Sequence, residues 1–270
     1  MNAKTHSKPS SLGTTQVVTL LSAGMHPTSK RSRRADQDSR ALEMALALSD
    51  KTRVQLTPLH AGQSDEPALR QYAGMGLSSL TVIKQQAEED TVVTLAQYLL
   101  KNPADLILCG VRAESGESSG LVPYLLAQKL AYPIVNNVAD ILEIDEQSVE
   151  VLQALPRGQR RKVKVKRPCV LTIDNAAPAP RQSAFGPGQR TGFVMETVNS
   201  QSDQEKESWI INDAKPRPKR MKKVKAKTAA DRFKAATAKS QSSGGQVIKD
   251  QSPEAMATLL VDRLVQEGVL

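Results

Sequence analysis

Apolar and polar positions follow two rhythms along the first half of the chain. Short apolar, β-branched runs at residues 17–23 (VVTLLSA), 54–59, 80–83 and 106–109 predict buried strands. Between them, apolar residues recur at helical spacing. Ala41, Leu42, Ala45, Leu46 and Leu48 form a stripe after Asp36 and Asp38, carboxylates suited to capping a helix start. A polar loop over 24–34 precedes that helix. Residues 67–75 predict a second helix, stopped by Gly76. Residues 90–100 predict a third, with Val92, Val93, Leu95, Ala96, Leu99 and Leu100 inward. Residues 119–130 predict a fourth, with Ser119 at its start. Strands alternating with helices this regularly imply βαβ units and a parallel sheet covered on both faces.

After Tyr132-Pro133 the rhythm changes. Residues 134–138, 149–155, 162–166 and 169–173 read as strands without intervening helices, and Gly158 marks a hairpin turn. Val163 and Val165 alternate with Lys162, Lys164 and Lys166, so this antiparallel extension has one basic face. Residues 174–208 read as loop. Ser252, Pro253 and Glu254 begin a final helix with the apolar stripe Met256, Leu259, Leu260, Leu264 and Val265. The expected divisions are a leader at 1–15, a main domain at 16–200, a basic linker at 201–250 and a docking helix at 251–270.

Composition sharpens this picture at three points. The net charge is +9, yet residues 215–239 hold eleven Lys/Arg against Asp231 alone and carry +10, leaving the rest at −1. Such a tract binds nucleic acid, an anionic surface or an acidic partner, or it is a solvated linker, and the sequence weighs these equally. Aromatics are only 3%, which argues against base-stacking nucleic-acid modules. The two cysteines, Cys109 and Cys169, sit in apolar runs like small buried hydrophobes, so a reducing cytoplasm is expected. The first residues lack the apolar region of a secretory signal, no run is long enough to span a membrane, and His6, His26 and His60 lack partners at metal-ligand spacing.

The chemistry-bearing segment is residues 110–120 (GVRAESGESSG), which leaves a strand and enters a helix. Open α/β sheets bind ligands at such strand ends. Glycines let backbone approach a phosphate, the N–H groups of Ser118, Ser119 and Gly120 would face it, and Arg112 would add countercharge. Glu114 and Glu117 would oppose an anion unless they turn away or hold a ribose. The alternative is an ordinary strand–helix loop capped by Ser119. The strand ends at Ser22 and Ala61 would share the rim, and His60 reads as a satisfied surface histidine. No nucleophile elbow, Walker loop or dinucleotide fingerprint is present.

The order of these features resembles the electron-transfer flavoprotein beta subunit over residues 17–185. The helix at 38–48, the stretch Ala73-Gly74-Met75-Gly76, the strand and loop from Leu106 to Ala113, residues 126–133 (LAQKLAYP), residues 167–172 (RPCVLT) and Ala179-Pro180-Arg181 each match a family motif. The resemblance implies an α/β fold of the adenine-nucleotide-binding type, shared with universal stress proteins. It implies a heterodimer with an alpha subunit, which holds FAD and accepts electrons from acyl-CoA- or methylamine-type dehydrogenases. The electrons then pass toward a quinone oxidoreductase, and this chain has no catalytic residue of its own. By position, it places an AMP pocket at Ser22, Ala35, Asp36, Gln37, Asp38, Ala61 and the loop from Gly110 to Val122. Within that loop it singles out Gly110, Arg112, Ala113, Ser118, Ser119 and Gly120. A dehydrogenase-docking segment follows Arg181, with Phe185 as its apolar anchor. The sequence departs from the family where Ser115-Gly116-Glu117 replaces an acidic run. It departs again where Ala35-Asp36 replaces Asn-Pro, and where Arg157, Arg160, Arg161 and Lys162 replace an acidic hairpin. The other classes expected of this chain are a lone nucleotide-binding sensor of universal-stress type and, last, a nucleic-acid binder acting through residues 215–239.

Overall fold

A computed structural model describes residues 13–116, 118–210, 212–213, 228–237, 249 and 251–267. Its elements begin with β1 (Thr15–Leu20), β2 (Ala23–Met25), β3 (Ser32–Arg34), α1 (Asp36–Ser49), β4 (Val54–Gly62), α2 (Pro67–Ala73), β5 (Ser79–Lys84), α3 (Thr91–Lys101), β6 (Leu106–Gly110) and α4 (Val122–Leu130). They continue with β7 (Ile134–Ile144), β8 (Ser148–Ala154), β9 (Arg160–Lys166), β10 (Cys169–Ile173), α5 (Phe185–Arg190), β11 (Gly192–Glu196) and α6 (Gln204–Glu207). Two further helices follow, α7 (Ala229–Thr237) and α8 (Pro253–Gln266).

Nine strands form one sheet in the order β11-β5-β4-β1-β6-β10-β7-β8-β9. It is parallel from β11 to β7 and antiparallel across β7, β8 and β9. Apolar side chains of α1 pack with those of β6, β7, β8 and β10 on one face, and α3 and α4 cover the other. A third apolar cluster joins α2 to β5 around Tyr72, Leu69 and Leu80. Both cysteines are free and buried, and burial pushes the Cys169 thiol up to about 12.

The α/β expectation with an antiparallel extension holds, and several local expectations change. β10 leaves the hairpin and enters the sheet centre, parallel between β6 and β7. All five of its residues are buried, which is what a continuous apolar run signifies in a parallel sheet. The loop expected over 24–34 contains the β2–β3 hairpin. The stretch 174–208 supplies α5, α6 and the edge strand β11, paired with β5. Its apolar run of Phe193, Val194 and Met195 is too short to announce a strand without that neighbour.

Helix α4 starts at Val122 and not at Ser119, because Ser118 and Gly120 adopt left-handed backbone (φ 59° and 79°) that no α-helix admits. In α3, Tyr98 takes the buried place expected of Leu100, and Leu100 is 67% exposed. Asp90 caps α3 through the N–H groups of Val92 and Val93. Helix α2 ends at Ala73, with Gly76 (φ 107°) in the turn beyond it.

Contacts divide the chain into a unit through Ile210 and a unit from Ile211. Within the first, residues just past 200 are tied to the body: Asp90 N–H donates to the Gln201 carbonyl and Asp203 N–H to the Glu88 carbonyl. Within the second, Ser252 caps α8 by accepting from Ala255 N–H at its Oγ, and Met256, Leu259, Leu260 and Val265 are exposed. Residues 215–227 and 238–239 of the basic tract, and most of the expected leader, lie outside the described residues.

Candidate functional site

The carboxyl ends of β1, β4 and β6 form one rim, and Asp38 ties two of them together. Its Oδ2 accepts from Ser22 N–H at 2.8 Å and Ser22 Oγ at 2.5 Å, and its Oδ1 accepts from Gly110 N–H at 2.7 Å. Asp38 therefore does not cap its own helix, as its place in the first turn suggested. It joins the exit of β1 to the exit of β6. Burial pushes its pKa up to about 6, against the lowering effect of these three hydrogen bonds, with the Glu114 charge adding to the rise. Gly110 has to be glycine, because a Cβ there would lie 2.6 Å from Asp38 Oδ1.

Tyr72 and His60 complete the support. The Tyr72 hydroxyl accepts from Ala35 N–H at 2.8 Å and donates to the Ser22 carbonyl at 2.9 Å. His60 is buried, not a surface residue, and its Nδ1 lies 2.8 Å from the Leu21 carbonyl. Burial lowers its pKa, so the ring is neutral at pH 7 and donates this bond. Tyr72 escapes a reading of the sequence, where it looks like one more apolar position of a helix.

The loop after β6 folds onto the β2–β3 hairpin. Glu114 Oε1 accepts from Asp36 N–H at 2.8 Å, so a residue 78 positions away caps α1, and its Oε2 pairs with Arg33 at 2.9 Å. Ser115 Oγ donates to the Ala23 carbonyl at 2.6 Å, Arg112 N–H reaches Gln37 Oε1 at 3.3 Å, and Ser118 Oγ donates to the Ala113 carbonyl. Asp38 thus joins Ser22 to Gly110, while Arg112, and the Ser118–Ala113 pair, make separate contacts along the same loop. Ser119 and Gly120 follow at its exit, while Ala61 packs into the apolar cluster beneath α3 and α4. Among the described residues, no group of three His, Cys, Asp or Glu is placed to hold a metal ion.

The comparisons with known proteins decide the family. The model of the electron transfer flavoprotein domain matches residues 28–200. The chain is 46% identical to the electron transfer flavoprotein subunit beta of Chromohalobacter salexigens, over 93% of this chain and 95% of that one. The chain belongs to the electron-transfer flavoprotein beta-subunit family. It is also 32% identical, over 53% of its length and 57% of the relative's, to the acryloyl-CoA reductase electron transfer subunit gamma of Anaerotignum propionicum. Membership makes the chain an electron-carrier subunit of flavoprotein type that works with an alpha subunit and with dehydrogenases as donors.

The two sides of this rim differ in their backbone. At the start of α1 the Asp36 N–H is already taken by Glu114. On the loop, the backbone is left-handed at Gly116, Ser118 and Gly120 (φ 72°, 59° and 79°), and a Cβ on Gly116 would meet open space. Glu117 lies outside the described residues.

The segment expected to dock is built separately. Phe185 opens α5 and is 82% exposed. Arg181 faces the body: its guanidinium holds Glu43 at 2.8–3.1 Å, its N–H reaches the same carboxylate at 2.9 Å, and its carbonyl accepts from Arg34 at 2.9 Å. Among the described residues, no helix is long and apolar enough to cross a membrane.

Proposed function

We propose that this chain and an alpha subunit hold FAD between them, accept electrons from an acyl-CoA- or methylamine-type dehydrogenase in the cytoplasm, and release them toward a quinone oxidoreductase. The bound flavin supplies the redox chemistry. This chain's residues bind, orient and dock, and they catalyse no step themselves. In this reading the backbone of Gly116, Ser118, Ser119 and Gly120 receives the phosphate of an AMP, with Arg112 as countercharge, and Phe185 enters an apolar pocket on the donor.

One observation supports the carrier assignment above others. Four titratable groups at the rim are already committed: Asp38 to the backbone of Ser22 and Gly110, His60 to Leu21, Tyr72 to Ser22 and Ala35, and Glu114 to the Asp36 N–H and the Arg33 guanidinium. Cys109 is buried, which pushes its thiol far up and keeps it protonated. Among the described residues, a rim so arranged offers no paired nucleophile and base, which supports a positioning role.

The test is co-expression with the alpha subunit. The expected product is a yellow heterodimer whose denatured supernatant contains FAD and AMP. A colourless monomer refutes the carrier assignment. A flavin-bearing heterodimer that releases no AMP refutes only the assignment of loop 116–120.

A further inference from the structure

One residue of helix α2 reaches the far end of the segment proposed to dock. Arg70 Nη1 lies 3.2, 3.3 and 2.9 Å from the carbonyl oxygens of Gly188, Gln189 and Thr191, and its guanidinium carbon sits 4.0 Å from the centre of the Phe193 ring. One side chain thus grips the end of α5 and the start of β11 together. The surrounding backbone is fitted to that grip. A Cβ on Gly188 would run into the Arg70 carbonyl, and a Cβ on Gly74 would run into Ser183 and Ala184. Ala184 N–H donates to the Gly74 carbonyl at 2.9 Å, and Thr191 Oγ donates to the Leu77 carbonyl at 3.1 Å. Between these attachments stands Phe185, 82% exposed.

We infer that Arg70 is the positioning residue that presents Phe185 to the electron donor, an inference that rests on the docking role proposed above. A free six-residue turn containing three glycine or proline residues would have to be ordered on binding, and a preformed one does not. Arginine suits the task because its Nη1 reaches the carbonyls while the planar guanidinium stacks on the Phe193 ring, a contact that a lysine ammonium makes less well. The surface offered to the donor is a rigid apolar knob, and its complement is an apolar pocket.

The experiment uses the heterodimer and whichever acyl-CoA- or methylamine-type dehydrogenase reduces the wild type. Three variants are compared: Phe185→Ala, Arg70→Ala and Arg70→Lys. Hydrogen exchange is followed at the amides of Ala184, Gly188 and Thr191, with the amides of β1 and β6 reporting global folding. Arg70→Ala is expected to speed exchange at those three amides alone and to raise the KM for the carrier about tenfold, with kcat changed less than about twofold. Arg70→Lys should recover part of both effects. Unchanged exchange in Arg70→Ala, or faster exchange with unchanged KM, overturns the inference while leaving the docking role intact. An unchanged KM in Phe185→Ala overturns both together.

Discussion

The rim loop at residues 110–120 and the segment at residues 181–191 are both glycine-rich and both pinned to the body, but by opposite charges. At the rim, the carboxylates of Asp38 and Glu114 accept from backbone N–H groups. At the docking flank, the guanidinium groups of Arg34 and Arg70 donate to backbone carbonyls, and Arg181 holds Glu43. Depth separates the two further. Asp38 is 5% exposed, so its ionisation opposes burial and its bonds respond to pH. The arginines stay charged at every ordinary pH and lie partly in water, so each of their ties is weak and the segment is held by their number. On the proposed reading, a rim that keeps its geometry around a cofactor is built inside, and a flank that meets a partner is built on the surface.

The largest test of the contrast is Gly110→Ala. The added methyl meets Asp38 Oδ1 at 2.6 Å and the Gln37 side chain at 2.8 Å, both packed in place. Destabilisation of about 3 kcal/mol is expected in urea unfolding. An effect below about 1 kcal/mol would show that the rim is softer than its burial suggests.

Asp38→Asn tests the pH response. The Asp38 pKa is higher folded, about 6, than its ordinary value of 3.8, so the folded state binds the extra proton between those values and loses stability as pH rises through them. Relative to Asp38→Asn, the wild type should lose roughly 2 kcal/mol between about pH 4.5 and 6.5. Parallel stability curves for the two proteins would break the argument.

The smallest effect is expected at the flank. Glu43 titrates below the usual glutamate range, because the Arg181 side chain and N–H bonded to it outweigh a burial that would raise it. The pair therefore stabilises above that range, and its contribution fades as acid protonates Glu43. Arg181→Ala should cost about 1 kcal/mol at pH 7 and nothing once Glu43 is protonated. A larger loss would place the flank in the same class as the rim.

Much of this is legible in the chain. The strand–helix alternation through Leu130, the hairpin at Gly158 and the Ser252 cap all come from periods and local chemistry. The strand ends that meet at the rim are legible too, although Asp38 looks like a helix cap and Ser119 like a helix start. Tyr72, Glu114 and Arg70 escape notice as structural ties. Nothing local distinguishes a tyrosine in an apolar stripe, or an arginine on a helix face, from its neighbours.

Residue order alone settles the strand–helix alternation through Leu130, where the charge lies and which glycines break helices, because each depends on residues within a few positions of one another. Three outcomes had to wait for the folded chain: β10 enters the sheet centre, β11 forms its edge, and Glu114 caps a helix 78 positions away. They depend on which surfaces meet when the chain closes on itself, and a hydrogen bond between distant residues leaves no period in the sequence to find.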